Sequence, residues 1–228
     1  MSKHIVVIGA SRGIGAALVK HFARNPEHQV YAFARNIERM KALFIEENVH
    51  CFPLDLESNI REQLDAISDQ LPLIDVLIEN AGFLVNKPFP ELSHEDISAS
   101  YQVNVIGVME NIQCFLPKLN PEGSHIVNIS SMGGFQGSMK FAGLAAYSTS
   151  KAALCSFTEL FAEEYKETTI KMNCLCLGAV QTEMLEQAFP GYQAPLSPEQ
   201  MAAFIADFSL NAHQYLNGKI IPVSLTNP

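Results

Sequence analysis

Short apolar, β-branched runs alternate along the chain with longer segments in which apolar residues recur every three or four positions. The short runs predict strands and the longer segments predict helices. The predicted strands cover 4–8, 29–34, 49–52, 74–78, 124–129, 170–177 and 218–223. Predicted helices follow the first strand, cover 37–47, and begin near residues 58, 93, 147 and 198. This alternation predicts one α/β domain over 1–228, with a doubly wound, mostly parallel seven-stranded sheet and helices on both faces.

The first predicted strand ends in a glycine-rich turn, Gly9-Ala10-Ser11-Arg12-Gly13-Ile14-Gly15, which opens a helix. Glycines let the backbone approach a phosphate, and the helix N-terminus offers free N–H groups and the positive end of its dipole. A strand, a glycine turn and a helix in this order predict a dinucleotide-binding unit of the Rossmann type. A plain tight turn is the alternative.

The second predicted strand ends at Arg35, with no carboxylate at its tip. In a dinucleotide-binding fold an acidic residue here holds the ribose hydroxyls of NAD, whereas an arginine accommodates the 2′-phosphate of NADP. Arg12 in the glycine turn is a second candidate for that phosphate. The two arginines predict NADP(H), with NAD(H) less favoured, unless they are solvated surface residues.

Polar residues follow several other strands, where the carboxyl ends of a parallel sheet place ligands. They are Asp55, the Asn80-Ala81-Gly82 turn and the Ser130-Ser131 pair. Singly, Asp55 and Asn80 are as well explained as turn formers. Asn104 interrupts the apolar side of the helix that begins near Ser93, and so it either lies on a polar flank or has a function.

Tyr147 and Lys151 lie four residues apart at the start of a predicted helix and therefore share one face. An unperturbed tyrosine has a pKa of about 10. A cation about 4 Å away would lower that pKa enough for acid/base chemistry near neutral pH. A chain with several tyrosines and lysines contains such pairs by chance. The pair therefore indicates a catalytic role only together with the other motifs of the chain.

Composition narrows the functional classes. A net charge of −9 without a run of Lys or Arg argues against nucleic acid and membrane partners. The N-terminal apolar run is too short for a signal peptide or a membrane span, so we expect a cytoplasmic protein.

The histidines show no metal-binding spacing, and no metal site is predicted. Without any Cys-x-x-Cys, the cysteines are expected to be buried reduced thiols; they are residues 51, 114, 155, 174 and 176.

Taken together, these motifs resemble the short-chain dehydrogenase/reductase family over essentially the whole chain. The matching positions, in the family's order, are Gly9-x-x-x-Gly13-x-Gly15, Asp55, Asn80-Ala81-Gly82, Asn104, Ser131, Tyr147-x-x-x-Lys151, Gly178 and Thr182. The resemblance implies that Tyr147 is the proton donor and that Ser131 holds the substrate carbonyl. Lys151 would bind the nicotinamide ribose and lower the tyrosine pKa, and Asn104 would anchor a water that relays protons to Lys151.

The resemblance also implies a set of cofactor contacts and an assembly. The implied cofactor-binding residues are Gly9, Ser11, Arg12, Gly13, Ile14, Gly15, Arg35, Asp55, Leu56, Asn80, Ala81, Gly82, Tyr147, Lys151, Gly178, Val180 and Thr182. Asp55 would contact adenine, and Val180 with Thr182 would hold the carboxamide. Relatives are commonly dimers or tetramers built through the helices that begin near Ser93 and Tyr147, so a homo-oligomer is expected.

The sequence departs from the family pattern at several positions. Ile8 replaces a common Thr, and Leu177 replaces the usual Pro before Gly178. Ser131 precedes Tyr147 by sixteen residues, which is longer than usual and leaves Ser130 and Ser138 as alternatives to it. The segment between residues 182 and 198 predicts a small substrate lid. Candidate apolar lining residues, unless they only pack the fold, are Met139, Phe141, Met184, Leu185, Phe189 and Tyr192.

The sequence therefore predicts an oxidoreductase that transfers a hydride between NADP(H) and a small or moderately apolar ketone or aldehyde, or the corresponding alcohol. An NADP(H)-binding regulatory or interaction protein of the same fold, with little catalysis, is the alternative. The departures from the family pattern at Ile8 and Leu177 favour it. Epimerisation or dehydration of a sugar nucleotide would need a larger C-terminal region than this chain offers.

Overall fold

Seven parallel strands form one sheet in a computed structural model that describes residues 2–225. The strands are β1 (His4–Ile8), β2 (Gln29–Ala34), β3 (Val49–Pro53), β4 (Val76–Glu79), β5 (Ser124–Ser131), β6 (Ile170–Leu177) and β7 (Ile220–Val223). Their order is β3-β2-β1-β4-β5-β6-β7, and all neighbouring pairs are parallel. The predicted doubly wound sheet is confirmed. Its order reverses between β1 and β4, which marks the place where such sheets bind ligands.

Helices cover both faces of the sheet. They are α1 (Gly13–Ala23), α2 (Ile37–Leu43), α3 (Ile60–Asp65), α4 (His94–Tyr101), α5 (Gly107–Phe115), α6 (Ala145–Glu164), α7 (Glu183–Ala188) and α8 (Pro198–Asn211). Alternate strand residues point to opposite faces. Ile5 and Val7 therefore join a core under α1, α2 and α8, whereas Val6 and Ile8 join a core under α3, α5 and α6.

The long helix predicted from Ser93 is interrupted. Ser93 does cap α4, accepting from the Asp96 backbone N–H at 3.1 Å, but residues 102–106 form a π-helical turn before α5 begins. The side chain of Gln102 donates to the Leu56 carbonyl at 3.0 Å within this turn. Apolar spacing is nearly continuous through the segment, which is why the sequence did not indicate the change. Such π-turns are frequent at functional sites.

Several other boundaries also differ from the prediction, two of them by enough residues to need an explanation. The helix predicted over 37–47 ends at Leu43, because Phe44 turns to an extended conformation and buries its ring in the core. The strand predicted from Ile74 begins at Val76, since Ile74 forms only an isolated bridge to Leu119. Among the described residues, no helix combines the length and apolar character that crossing a membrane requires.

Phe115 at the end of α5 tests the packing of this helix. It is 1% exposed and meets the edge of Phe33 on β2 at a centroid distance of 5.8 Å. We expect Phe115→Ala to lower the free energy of unfolding by about 3–5 kcal/mol, because it leaves a cavity. Urea denaturation measures the change. The exposed Phe89 is the matched control, and a loss for Phe115→Ala no larger than that for Phe89→Ala would contradict the packing described.

Candidate active site

The glycine turn after β1 forms a tight cradle at the carboxyl edge of the sheet. A side-chain carbon at Gly15 would lie 2.1 Å from the Gly9 carbonyl oxygen, so only glycine fits there. Gly9 itself has a φ of 82° and is pressed against Ala81. The side chain of Asn80 donates to the Gly9 carbonyl at 3.1 Å. The Asn80-Ala81-Gly82 turn thus packs against the glycine turn and holds its backbone in place.

The cradle leads into the N-terminus of α1, where a phosphate would be received. The first N–H groups of any α-helix have no acceptor inside the helix. Arg12 occupies the N-cap, and its side chain forms no bond to them within residues 2–225. Ser11 and Ile14 flank the turn and are half-buried. The absence of side-chain carbons and the free amides fit the pyrophosphate of a dinucleotide cofactor.

Three arginines lie near the candidate 2′-phosphate site, and two of them form ion pairs with carboxylates. Arg35 follows β2 directly, as predicted, and its guanidinium donates to Glu57 at 2.7 Å. Arg39 on α2 donates to Glu183 of α7 at 3.4 Å. Arg12 is exposed at the same edge. Exposed ion pairs of this kind contribute about 0–1 kcal/mol, so a phosphate would compete with them readily.

Asp55 and Leu56 follow β3, next to this charged group. The Asp55 carboxylate accepts from the Glu57 backbone N–H at 3.1 Å and from the Ser58 hydroxyl at 3.3 Å, so in this structure it caps its own turn. The Leu56 side chain is buried in the core, which leaves its backbone for any contact with a ligand. Their predicted adenine contacts stay predictions.

The other end of the candidate cofactor site follows β6. Gly178 donates its backbone N–H to Val223 at 2.9 Å, and Val180 is buried in the core. Thr182 caps α7 by accepting from the Leu185 N–H at 3.3 Å. The Thr182 methyl lies within contact distance of a side-chain carbon built on Gly13. The segment that begins at Thr182 therefore lies close over the glycine turn.

Ser131, Tyr147 and Lys151 converge at the end of β5 and the first turns of α6. The Ser131 hydroxyl lies beside the Tyr147 hydroxyl and acts to lower its pKa, and it also accepts from the Gly133 N–H at 3.2 Å. Ser130 points elsewhere, donating to the Lys151 carbonyl at 2.8 Å. The Ser138 hydroxyl donates to the carbonyls of Met132 and Phe135. Of the three serines considered from the sequence, the structure places Ser131 against Tyr147.

Lys151 is 3% exposed, and its ammonium donates to the Ile129 carbonyl at 2.8 Å. Burial lowers the pKa of Lys151 to about 8. A side-chain carbon at Gly82 would lie 3.6 Å from the ammonium, and one at Gly134 would lie 2.6 Å from the Lys151 backbone. The turn that contains Gly134 therefore packs too closely against Lys151 for a side chain, whereas Gly82 leaves room for an ordinary contact with the ammonium.

Asn104 lies in the π-turn and is fully buried. Its Oδ1 accepts from the Phe83 N–H and its Nδ2 donates to the Phe83 carbonyl, both at 2.8 Å. Nδ2 also donates to the Ser150 hydroxyl at 3.0 Å. Of the two alternatives left by the sequence, a polar flank is wrong. Asn104 fixes the chain just after Gly82 and links it to α6.

The predicted effect of Lys151 on Tyr147 is not found in this structure. Burial raises the pKa of Tyr147, and the hydrogen bond from Ser131 opposes that change only in part. The Lys151 ammonium is directed to Ile129, and burial lowers its own affinity for a proton. The sequence argument considered the attraction between the two charges and left out the cost of removing both groups from water.

Glu79 is a buried acid near the site that sequence reasoning missed. It is the last residue of β4 and is 1% exposed, and its Oε1 accepts from the Asn111 side chain on α5. Glu79 Oε2 and Asn111 Oδ1 have no hydrogen-bond partner among the described residues. A proton on Oε2 would complete a second hydrogen bond within this pair.

Burial raises the pKa of Glu79 to about 8. A charged residue ending the apolar run Val76-Leu77-Ile78 was the available signal.

Loops and α7 form a rim over the site. In the lengthened loop, the Lys140 ammonium donates to the Gly133 and Phe135 carbonyls at 2.9 and 2.6 Å, which folds the extra residues back on themselves. Asn86 donates to the Ala188 carbonyl at 2.8 Å and so connects the loop after Gly82 to α7. Met139, Phe141 and Tyr192 are exposed, whereas Met184, Leu185 and Phe189 are half-buried.

The raised pKa of Glu79 predicts a pH-dependent stability. Between about pH 4.5 and pH 8 the native protein keeps a proton that the unfolded chain has released, so the free energy of unfolding falls as pH rises. We expect Glu79→Gln, which imitates the protonated form, to remove this slope and to stabilise the protein by roughly 4 kcal/mol at pH 8. Urea denaturation from pH 5 to pH 8 measures it, with exposed Glu91→Gln as control. An unchanged slope in Glu79→Gln would contradict a protonated Glu79.

Comparison with known proteins agrees with this geometry. The family model described as short chain dehydrogenase matches residues 3–193. The chain is 29% identical to carbonyl reductase family member 4 of Xenopus tropicalis, over 98% of this chain and 97% of that protein. It is 32% identical to dehydrogenase/reductase SDR family member 6 of Aquarana catesbeiana, over 87% of this chain and 78% of that protein.

A short chain dehydrogenase from Shigella flexneri, solved in complex with NADP, superposes with a TM-score of 0.87 at 26% identity, covering 96% of each chain. The chain belongs to the short-chain dehydrogenase family and is an oxidoreductase of that kind.

Proposed function

We propose that the protein is an NADP(H)-dependent reductase of small or moderately apolar ketones and aldehydes, or the dehydrogenase of the corresponding alcohols. The observation that carries this proposal is the convergence of Ser131, Tyr147 and Lys151 beside the glycine cradle. The similarity to carbonyl reductase family member 4 supports a carbonyl substrate. The half-buried Leu185 and Phe189 on the rim support an apolar one.

In the proposed mechanism, the bound nicotinamide cofactor supplies or takes the hydride. The Tyr147 hydroxyl gives its proton to the carbonyl oxygen as negative charge develops there. The Ser131 hydroxyl donates a hydrogen bond to the same oxygen and stabilises that charge. Lys151 lies one helical turn after Tyr147 on α6, and its pKa of about 8 lets it pass a proton near neutral pH. Asn104 holds the backbone between Gly82 and Lys151 in place.

NADP(H) is the proposed cofactor because an arginine, and no carboxylate, directly follows β2 and a second arginine lies in the glycine turn after β1. Arg35 lies at the tip of that strand, and exposed Arg12 lies in the glycine turn. The Shigella flexneri relative was solved with NADP, which supports the same cofactor here. Glu57 is the one carboxylate paired with Arg35 in the described chain, and it would have to release the guanidinium to a 2′-phosphate.

Tyr147→Phe tests the proton donor. We expect it to lower kcat for carbonyl reduction by about 100-fold or more, because the proton that balances hydride transfer has no other donor of this reach. The dissociation constant for NADPH, followed by nicotinamide fluorescence, should change by less than about twofold. Tyr215→Phe is the control, since Tyr215 is 83% exposed. Turnover retained in Tyr147→Phe would exclude the assigned role.

A pair of variants tests the reading of the 2′-phosphate. Arg35→Asp should weaken NADPH binding by at least about tenfold and leave NADH binding nearly unchanged, since a charge-assisted hydrogen bond contributes roughly 1.5–3 kcal/mol. Glu57→Gln should strengthen NADPH binding, because it frees the guanidinium held at 2.7 Å. Fluorescence titrations with both cofactors measure these effects. Equal losses for NADPH and NADH in Arg35→Asp would show that Arg35 does not contact the phosphate.

A further inference from the structure

Three cysteine thiols meet beneath the catalytic end of α6. Cys155 lies on α6, and Cys174 and Cys176 lie two residues apart on β6, so both strand thiols point to the helix. The Cys155 sulfur is 3.5 Å from the Cys176 sulfur and 3.9 Å from the Cys174 sulfur, and all three sulfurs lie within 4.8 Å of one another. The predicted burial of the five cysteines is confirmed for these three, whereas Cys51 and Cys114 are only half-buried. The convergence of the three thiols was not anticipated.

The spacing of the sulfurs matches that of a metal ion held by three thiolates. A metal–sulfur distance of about 2.3 Å places three trigonal ligands about 4.0 Å apart. The observed separations are close to this value, so an ion needs only small side-chain rotations to reach all three sulfurs. A disulfide would use two of the sulfurs and would leave the third unexplained.

The surroundings select a soft ion of low coordination number. Met132, Phe135 and Ile220 pack around the three thiols, and no carboxylate or histidine joins the cluster within the part of the chain described. Soft thiolate ligands select Cu(I) and Zn(II) over hard cations. Structural zinc sites take four strong ligands. The further groups beside these thiols are the neutral Ser130 hydroxyl, 3.4 Å from the Cys155 sulfur, and the Met132 thioether, which is a soft ligand that suits Cu(I).

We propose that Cys155, Cys174 and Cys176 form a three-coordinate site for a soft, thiophilic ion, best matched by Cu(I). The site is separate from the candidate substrate site, because it lies on the far side of Lys151 along α6. Cys155 is 8% exposed, and the cluster is one strand in from the sheet edge formed by β7, which gives an ion a short path inward. The three thiols release their protons when the ion binds, so the occupied site carries net negative charge one helical turn from Lys151.

Anaerobic titration of the reduced, full-length protein with Cu(I), against a chromophoric Cu(I) chelator, tests the site. We expect one tightly bound Cu(I) per chain. Cys155→Ser, Cys174→Ser and Cys176→Ser should each weaken binding by at least about tenfold. Cys51→Ser and Cys114→Ser are matched controls, because these half-buried thiols lie outside the cluster, and they should bind as the unsubstituted protein does. Equal binding by all five variants, or no binding by the unsubstituted protein, would overturn the proposal.

A second measurement does not depend on whether the serine variants fold. X-ray absorption of the Cu(I)-loaded, unsubstituted protein counts the sulfur atoms around the metal. Three sulfurs at about 2.3 Å are expected. Two sulfurs would overturn the three-coordinate geometry, and so would tighter binding of Zn(II) than of Cu(I) at this cluster.

Discussion

The buried ammonium of Lys151 is the constraint on which the active-site end of the molecule depends. Removing a charged group from water costs several kcal/mol unless polar partners replace the water. Here the Ile129 carbonyl accepts from the ammonium at 2.8 Å. Gly134, after β5, lets the chain pack closely against α6, since a side-chain carbon there would lie 2.6 Å from the Lys151 backbone. Shifting β5 or α6 would remove these partners, so the position of Lys151 fixes that of Ser131 and Tyr147.

The rim above the site is held by weaker contacts than the floor. Thr182 and α7 lie over the glycine turn, Arg39 pairs with Glu183 at 3.4 Å, and Asn86 bonds to the Ala188 carbonyl. Exposed contacts of this kind contribute at most about 1 kcal/mol each. The central strands below, β1, β4, β5 and β6, are mostly buried. The candidate site residues on the sheet and α6 are therefore held more firmly than α7.

The strands and the grouping of the candidate site residues at one edge of the sheet were largely predictable from the sequence, whereas local packing was not. The run from His4 to Ile8 and the glycine turn after it have strong signals, because strands and phosphate cradles need particular residue types. The π-turn at Asn104 has no such signal, since its apolar spacing resembles a continuing helix. Glu79 and the meeting of Cys155 with β6 depend on which elements pack together in three dimensions. The pKa of Tyr147 depends on burial, which a four-residue spacing does not reveal.

The central claim is that this site transfers a hydride and a proton to a carbonyl. The most direct test follows oxidation of NADPH by the purified protein in the presence of a panel of ketones and aldehydes, and then repeats it with cofactor deuterated at the transferred position. The account predicts carbonyl-dependent oxidation that slows with the deuterated cofactor. Tight NADPH binding without oxidation by any member of the panel would contradict it and would favour a regulatory protein that senses the cofactor.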